Sequence, residues 1–338
     1  MGFNCKKENF DTYNMIITNF KTRYNQKNEV LDSQNIIHIT PCYSLSLYND
    51  DGSIAESIEL KVTSAINLQV VGARRCTNLM NNKLCLKPMT SKTMCSDCDR
   101  NSSKHYLPLS NLTYSQVESI KKEENFNYLT IFGNENVKTG VSRVSRNYDR
   151  LVEQGSIFAI ILGHNDGFTA RRLEDQISKN VSITQAVRSE TKLKSFLQIT
   201  NINQSNLLTK LISSFESFKN SLNITSFINL LFIQYPISQE YFNINSIQNL
   251  VYILHKNLQP GFVINGKIIA IYATYIVYVS DNDKNTINII DTLSIIGFEA
   301  IKVDIPVISQ PNLSEKKVLL ETVIYSDKSN DNNDNSLF

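Results

Sequence analysis

Four cysteines within 23 residues, Cys76, Cys85, Cys95 and Cys98, constrain what this chain can fold into more than any other feature. Their spacing is Cys-x8-Cys-x9-Cys-x2-Cys. Zn²⁺ takes four soft ligands in a tetrahedron, and a Cys-x2-Cys knuckle delivers two thiolates from one tight turn. Only the second pair has that knuckle, so Cys76 and Cys85 need a loop or short hairpin between them to converge. The competing reading, four unrelated buried thiols, explains poorly why they cluster among polar neighbours. In a reducing compartment such a cluster points to metal rather than to disulfides. Four thiolates close the coordination shell, which makes the zinc structural and not catalytic. His105 is an alternative ligand, and Cys5 and Cys42 read as ordinary thiols.

The same stretch is locally basic. Between Val71 and His105 stand Arg74, Arg75, Lys83, Lys87, Lys92, Arg100 and Lys104 against Asp97 and Asp99. Such a patch suits a nucleic-acid backbone, whose counterions it displaces; a solvated surface around the metal is the plainer alternative. The whole chain carries a formal net charge of only +2, so no partner is announced globally. With 338 residues, 41% of them hydrophobic, there is material for two or three ordinary domains. The first residues are polar and show no signal-peptide pattern. The apolar run Phe262–Val279 is interrupted by Asn265, Gly266, Lys267 and Thr274, so no membrane span is expected and the protein reads as cytoplasmic.

The expected fold class is α+β, in five segments. Residues 1–70 form a β-rich N-terminal segment, with strands at Ile36–Ile39, Tyr43–Leu47 and Ile58–Val62 and a turn at Asn49–Gly52. The four-cysteine segment covers 71–110. A ββαβα core covers 120–185: strands at Tyr128–Phe132 and Val137–Ser142, a helix at Asn147–Gln154 stopped by Gly155, a buried strand at Ile157–Gly163, and a helix at Thr169–Lys179 capped by Thr169. Residues 186–325 form a C-terminal α+β region, mostly helical to about 258 by the spacing of Leu207, Leu208, Leu211 and Ile212, then returning to strands over Gly261–Val303. The polar tail, 326–338, is expected to be disordered.

Chemistry gathers in the core. Tyr128 lies on its first strand, Lys138-Thr139-Gly140 and Ser142 on its second, Arg150 on the first helix and Glu174 on the next. Phosphodiester cleavage needs a base near the attacking water, a cation over the developing charge, and a metal to polarise the phosphate. Arg150 suits bidentate phosphate binding, and Glu174 is the hard oxygen ligand that Mg²⁺ prefers. A structural ion pair between Arg150 and Glu174 is the inert alternative. His164-Asn165-Asp166-Gly167 reads as a polar turn, and no Gly-rich phosphate loop or Rossmann fingerprint is present.

This constellation resembles the GIY-YIG nuclease superfamily. The resemblance implies catalytic roles for Tyr128, Lys138, Arg150 and Glu174, with Glu174 holding magnesium or manganese. Two positions depart from it. Lys138 replaces the second triplet's tyrosine, and Gln154 stands where such nucleases often carry a histidine. A wider resemblance, over roughly 35–305, is to an uncharacterised prokaryotic family described only as a domain of unknown function (2797). It is carried by Arg75-Cys76-Thr77, Cys95-x2-Cys98, Lys138 to Arg143, Glu153-Gln154-Gly155, Arg172-Leu173-Glu174, Gly266-Lys267-Ile268, Tyr275-Ile276-Val277 and Ile287-Asn288-Ile289, with Gly297. There the lysine before the glycine and the Gln-Gly pair are the expected residues.

The expectation that follows is a zinc protein engaging nucleic acid, DNA or RNA, as a metal-dependent phosphodiesterase. Arg74, Arg75, Arg143, Arg146 and Arg171 are the candidate nucleic-acid contacts. The alternatives are a non-catalytic nucleic-acid-binding module, and an enzyme acting on a small nucleotide or phosphorylated substrate.

Overall fold

Ile39, Pro41, Tyr43, Leu45 and Leu47 are buried at every second position along one continuous strand, the period that places one face of a strand on a core. The computed structural model describes residues 15–27, 36–49, 54–80, 83–89, 94–102, 107–146, 148–181, 183–197, 203–245, 251–256, 258–280 and 283–302. The expected turn at Asn49–Gly52 falls largely outside them; Cys5, His105 and the tail 326–338 fall wholly outside.

The N-terminal part supplies β1 (Met15–Lys27), β2 (Ile36–Tyr48), β3 (Ile54–Leu60) and β4 (Ala65–Val71). Two short strands were expected where β2 runs unbroken. One side of β2 pairs throughout with β1, while the other meets two partners in succession, a later strand at 36–39 and β3 at 43–48. Pro41, which has no N–H to give, falls in the gap between those two partners.

The cysteine segment forms a small ribbon, β5 (Leu79–Met80) with β6 (Lys83–Leu84), and a short helix, α1 (Ser96–Ser102). Next comes α2 (Tyr114–Lys121), opened by a capping box between Thr113 and Gln116. The ββαβα order expected over 120–185 follows as β7 (Glu124–Ile131), β8 (Val137–Arg143), α3 (Asp149–Gln154), β9 (Phe158–Asp166) and α4 (Gly167–Val181). The cap of α4 is Asp166, not Thr169. Its carboxylate accepts from the backbone N–H groups of Phe168 at 2.9 Å and Thr169 at 3.0 Å.

Beyond the core lie α5 (Ser189–Leu197), α6 (Gln204–Lys219), β10 (Asn229–Ile233), α7 (Gln239–Asn245) and β11 (Val251–His255). The helical reading of this stretch missed both strands. A five-residue apolar run such as Asn229–Ile233 carries no period that separates strand from helix, and its lodging between β2 and β9 decides the matter. The chain then returns to strands with β12 (Val263–Tyr272), β13 (Tyr275–Ser280), β14 (Asp283–Asp291), a single turn α8 (Thr292–Ile295), and β15 (Glu299–Lys302).

The fold is mixed α+β. One hydrogen-bonded sheet runs β11-β14-β13-β12-β4-β15-β1-β2-β10-β9-β7-β8, with β3 also on β2. Its β10–β2 and β11–β14 pairings are parallel and the others antiparallel. The outer edge of β8 is covered by an irregular segment: the Thr139 N–H donates to the Thr184 carbonyl at 3.1 Å, and Lys138 bridges to Thr184 in parallel. Among the described residues no helix is long and apolar enough to cross a membrane.

Helix α3 is held from its C-terminal end. Gly155 takes φ +79°, the left-handed conformation that closes a helix. Its carbonyl accepts from the Tyr272 hydroxyl at 2.8 Å, and the Tyr235 hydroxyl reaches the carbonyls of Val152 and Ser156, both at 3.1 Å. A Cβ at 155 would lie 2.4 Å from the Tyr272 hydroxyl oxygen. Gly155→Ala therefore combines left-handed strain with steric overlap and should lower stability by about 2–4 kcal/mol. Tyr272→Phe, which orphans a buried carbonyl, should cost about 1–3 kcal/mol. Denaturant midpoints at unchanged slope measure both, and a neutral Gly155→Ala would contradict the packing.

Candidate functional site

Tyr128 and Gly140 sit opposite each other across the β7–β8 ladder. A Cβ at Gly140 would come within 2.3 Å of the Tyr128 ring carbon Cζ and its hydroxyl oxygen. Glycine is needed there because the tyrosine lies across β8. The Tyr128 hydroxyl accepts from Gln154 Nε2 at 2.7 Å, and Gln154 Oε1 accepts from Lys138 Nζ at 2.7 Å. An ammonium can only donate, so the lysine fixes which end of the amide faces it. The other end must then donate to Tyr128, and the phenolic proton is left to point onward. All three side chains are buried.

This chain of bonds borders a half-open cavity of about 420 Å³. Its walls include Tyr128, Lys138, Arg143, Arg146, Arg150, Arg171 and Glu174. The four residues expected from the sequence to do chemistry are thus brought together with three of the five expected to contact nucleic acid. Arg143 is tied to Glu123 at 3.0 Å, Arg146 pairs with Glu153, and Arg171 donates to the Leu107 carbonyl. Arg150 Nη1 stands 3.9 Å from Glu153, beyond hydrogen-bond reach. The ion pair between Arg150 and Glu174 is not formed: among the described residues Glu174 has neither a hydrogen bond nor an ion pair.

Burial moves the titration of these groups. It pushes the Glu174 carboxyl up to about 7, against the opposing pull of the Lys138 charge. It lowers the Lys138 ammonium to about 8, helped by the charges of Arg150 and Lys192. It also raises the Tyr128 phenol, although Arg150 and Gln154 favour the phenolate. The tyrosine is therefore a proton donor at neutral pH. An amine and a carboxyl in one cavity change charge near neutrality, the condition that general acid–base work requires.

Lys192 was missed by sequence reasoning. It is buried on α5, donates to the Gln154 carbonyl at 3.0 Å, and lies 4.7 Å from the centre of the Phe132 ring. Burial, followed by the charge of Arg150, lowers it to about 8. Its signal was positional: Lys192 falls among Leu193, Phe196 and Leu197 on the buried side of its helix. Gln154, read from the sequence as a departure from the nuclease pattern and as part of the Gln-Gly pair, is the link between Lys138 and Tyr128.

Arg74 and Arg75 lie elsewhere. Arg74 Nε donates to the Ile296 carbonyl at 3.0 Å and Nη2 to the Leu293 carbonyl at 2.9 Å. Arg75 pairs with Glu299 at 3.2 Å. Both guanidinium groups join the cysteine segment to α8 and β15.

In that segment the four cysteine sulfurs lie within 4.8 Å of one another. Those of Cys85 and Cys95 are 3.7 Å apart, close to the edge of about 3.8 Å of a tetrahedron with ~2.3 Å metal–sulfur bonds. The wide first spacing closes because the β5–β6 ribbon folds back. Cys76 N–H donates to the Lys87 carbonyl, Leu86 N–H to Cys76, and Cys85 N–H to Asn78, at 2.8 to 2.9 Å. All four are free of disulfides, and Cys76, Cys95 and Cys98 are buried. The donor set and its spacing fit a four-thiolate metal ion.

Fold and site together define a mixed α+β protein with a four-cysteine cluster of metal-ligand spacing and a cation-lined cavity. The model of the family described as "protein of unknown function (DUF2797)" matches residues 58–299, more than two-thirds of the chain, and the chain belongs to that family. No curated protein matches it, and no solved structure does.

Two outcomes are expected. Purified protein should carry one tightly bound metal ion per chain, and Cys95→Ser should lose most of it; unchanged metal content by elemental analysis would contradict the site. The second concerns Glu174, whose carboxyl is raised from 4.5 to about 7 on folding. Folding favours its protonated form, so this contribution is complete below about pH 4.5 and lost as pH rises through about 7. Glu174→Gln, neutral throughout, should raise the thermal midpoint near pH 8, with the gain shrinking toward about pH 5. Equal midpoints at the higher pH would contradict the burial cost.

Proposed function

We propose that this is a zinc protein that grips nucleic-acid phosphodiester in the Arg150–Glu174 cavity and cleaves it with the aid of a divalent metal. The observation that carries the reading is the convergence of Tyr128, Lys138, Arg150 and Glu174 on one cavity that Arg143, Arg146 and Arg171 also line. The ββαβα order and the placement of these residues accord with the resemblance to GIY-YIG nucleases. Zinc suits four thiolates, and its role here is to hold the cysteine unit together.

Arg150 is the phosphate ligand: it lines the cavity, and its fork matches two phosphate oxygens. Tyr128, its proton retained and its oxygen fixed by Gln154, donates to a phosphate oxygen. Lys138 supplies positive charge when protonated and takes up a proton when neutral, which its value of about 8 permits near physiological pH. Glu174 is the residue to hold Mg²⁺ or Mn²⁺, a metal that would polarise the phosphate and stabilise the leaving oxygen.

One observation favours a second reading, binding without cleavage. Glu174 is a single carboxyl, largely protonated below about pH 7 and surrounded by cations, which is a weak anchor for a divalent ion. DNA and RNA oligonucleotides with Mg²⁺ or Mn²⁺ separate the two. Cleavage by the wild type that falls about 100-fold or more in Arg150→Ala/Glu174→Ala supports the phosphodiesterase. Salt-dependent binding without cleavage supports the second reading, and absence of binding refutes both.

A further inference from the structure

We infer that a second cavity beside the first takes the sugar and base of a nucleotide whose phosphate rests on Arg150. This deepens the phosphate-binding reading above and rests on it. The cavity measures about 480 Å³, within the range of roughly 300–1,000 Å³ in which small ligands are bound. Lys138, Arg150 and Gln185 line both cavities, so a ligand on Arg150 can extend into either.

The two differ in character. The first is walled by arginines. The second is lined by Gln154 and Lys192 together with the apolar Val187, Leu293 and Ile296. Leu293 is 38% exposed, one of the few large apolar side chains left in solvent among the described residues. A bare phosphate gains nothing from an apolar wall. A nucleoside offers flat apolar faces with polar edges, and the apolar and the polar lining then both find a match.

The apolar wall is also held in place. Asp291 caps α8 by accepting from the Leu293 N–H at 3.1 Å, and Arg74 clasps the carbonyls of Leu293 and Ile296. A ligand would therefore meet a preformed surface, with little ordering cost.

Titration calorimetry of the full chain with inorganic phosphate, glycerol 3-phosphate and nucleoside 5′-monophosphates tests this. The nucleotides should bind about tenfold or more tighter than the other two. Val187→Trp and Leu293→Trp, each filling the cavity from a different element, should erase that advantage while leaving phosphate affinity unchanged; Arg150→Ala should weaken all three ligands. Thermal midpoints show whether each variant is folded. Equal affinities in the wild type, or an advantage that survives in both tryptophan variants, would overturn the inference and leave the phosphate site standing. Failure of every ligand to bind would overturn both.

Discussion

Helix α3 is left through Gly155 and Ser156, whose carbonyls lie in an apolar interior, and buried tyrosine hydroxyls from the C-terminal region meet them. Such carbonyls cannot be left bare in an apolar interior. Tyr272 donates to Gly155, and the Tyr235 hydroxyl lies 3.1 Å from the Ser156 carbonyl and from that of Val152, which also accepts from the Gly155 N–H at 3.0 Å. Tyr272 is in turn stacked on Phe196, with ring centres 4.2 Å apart. Much of the site depends on this arrangement. Arg150 and Gln154 ride on the same short helix, so the aromatic contacts at its end set where the cavity guanidinium and the amide link can stand. A six-residue helix would not hold that geometry by its own hydrogen bonds.

The cysteine unit belongs to the same construction. It is remote from Tyr128 in the sequence, yet Arg74 fastens it to the α8 turn that lines the second cavity, and Arg75 fastens it to β15 beyond. Gly297 shows how close this contact is: a Cβ there would lie 2.5 Å from the Arg75 carbonyl oxygen. A basic stretch that looks like a nucleic-acid footprint in the sequence thus has two of its arginines committed to internal docking. The cysteine unit meets the second cavity through α8, whose carbonyls Arg74 holds.

The parts legible in the sequence were those governed by local rules. Gly155 ended a helix where a glycine past the last apolar residue should end one, the ββαβα order followed from period and turn residues, and the cysteine spacing asked for a loop or short hairpin. The unread parts depend on partners far away in the chain. Nothing near Pro41 indicates that β2 changes neighbours on one side there, and nothing near Asn229 indicates that β2 and β9 wait on either side of β10. Lys192 looks like an ordinary helix lysine until α5 is packed against the end of α3. Arginines raise the same difficulty, because sequence records their charge and only the fold shows what they face.

The strand that carries Lys138 and Gly140 lies at one end of the long sheet, where a bare row of peptide groups would invite another chain to add a strand. Thr184 closes that row with its carbonyl on Thr139. The covering segment also brings Gln185 into both cavities. The same short stretch that guards against edge-to-edge aggregation therefore forms a common wall of the cavities. Evolution could not lengthen or remove it to retune ligand choice without reopening the edge. Substitutions that reshape the cavities should accordingly be tolerated best on the opposite rim, where no such double duty applies.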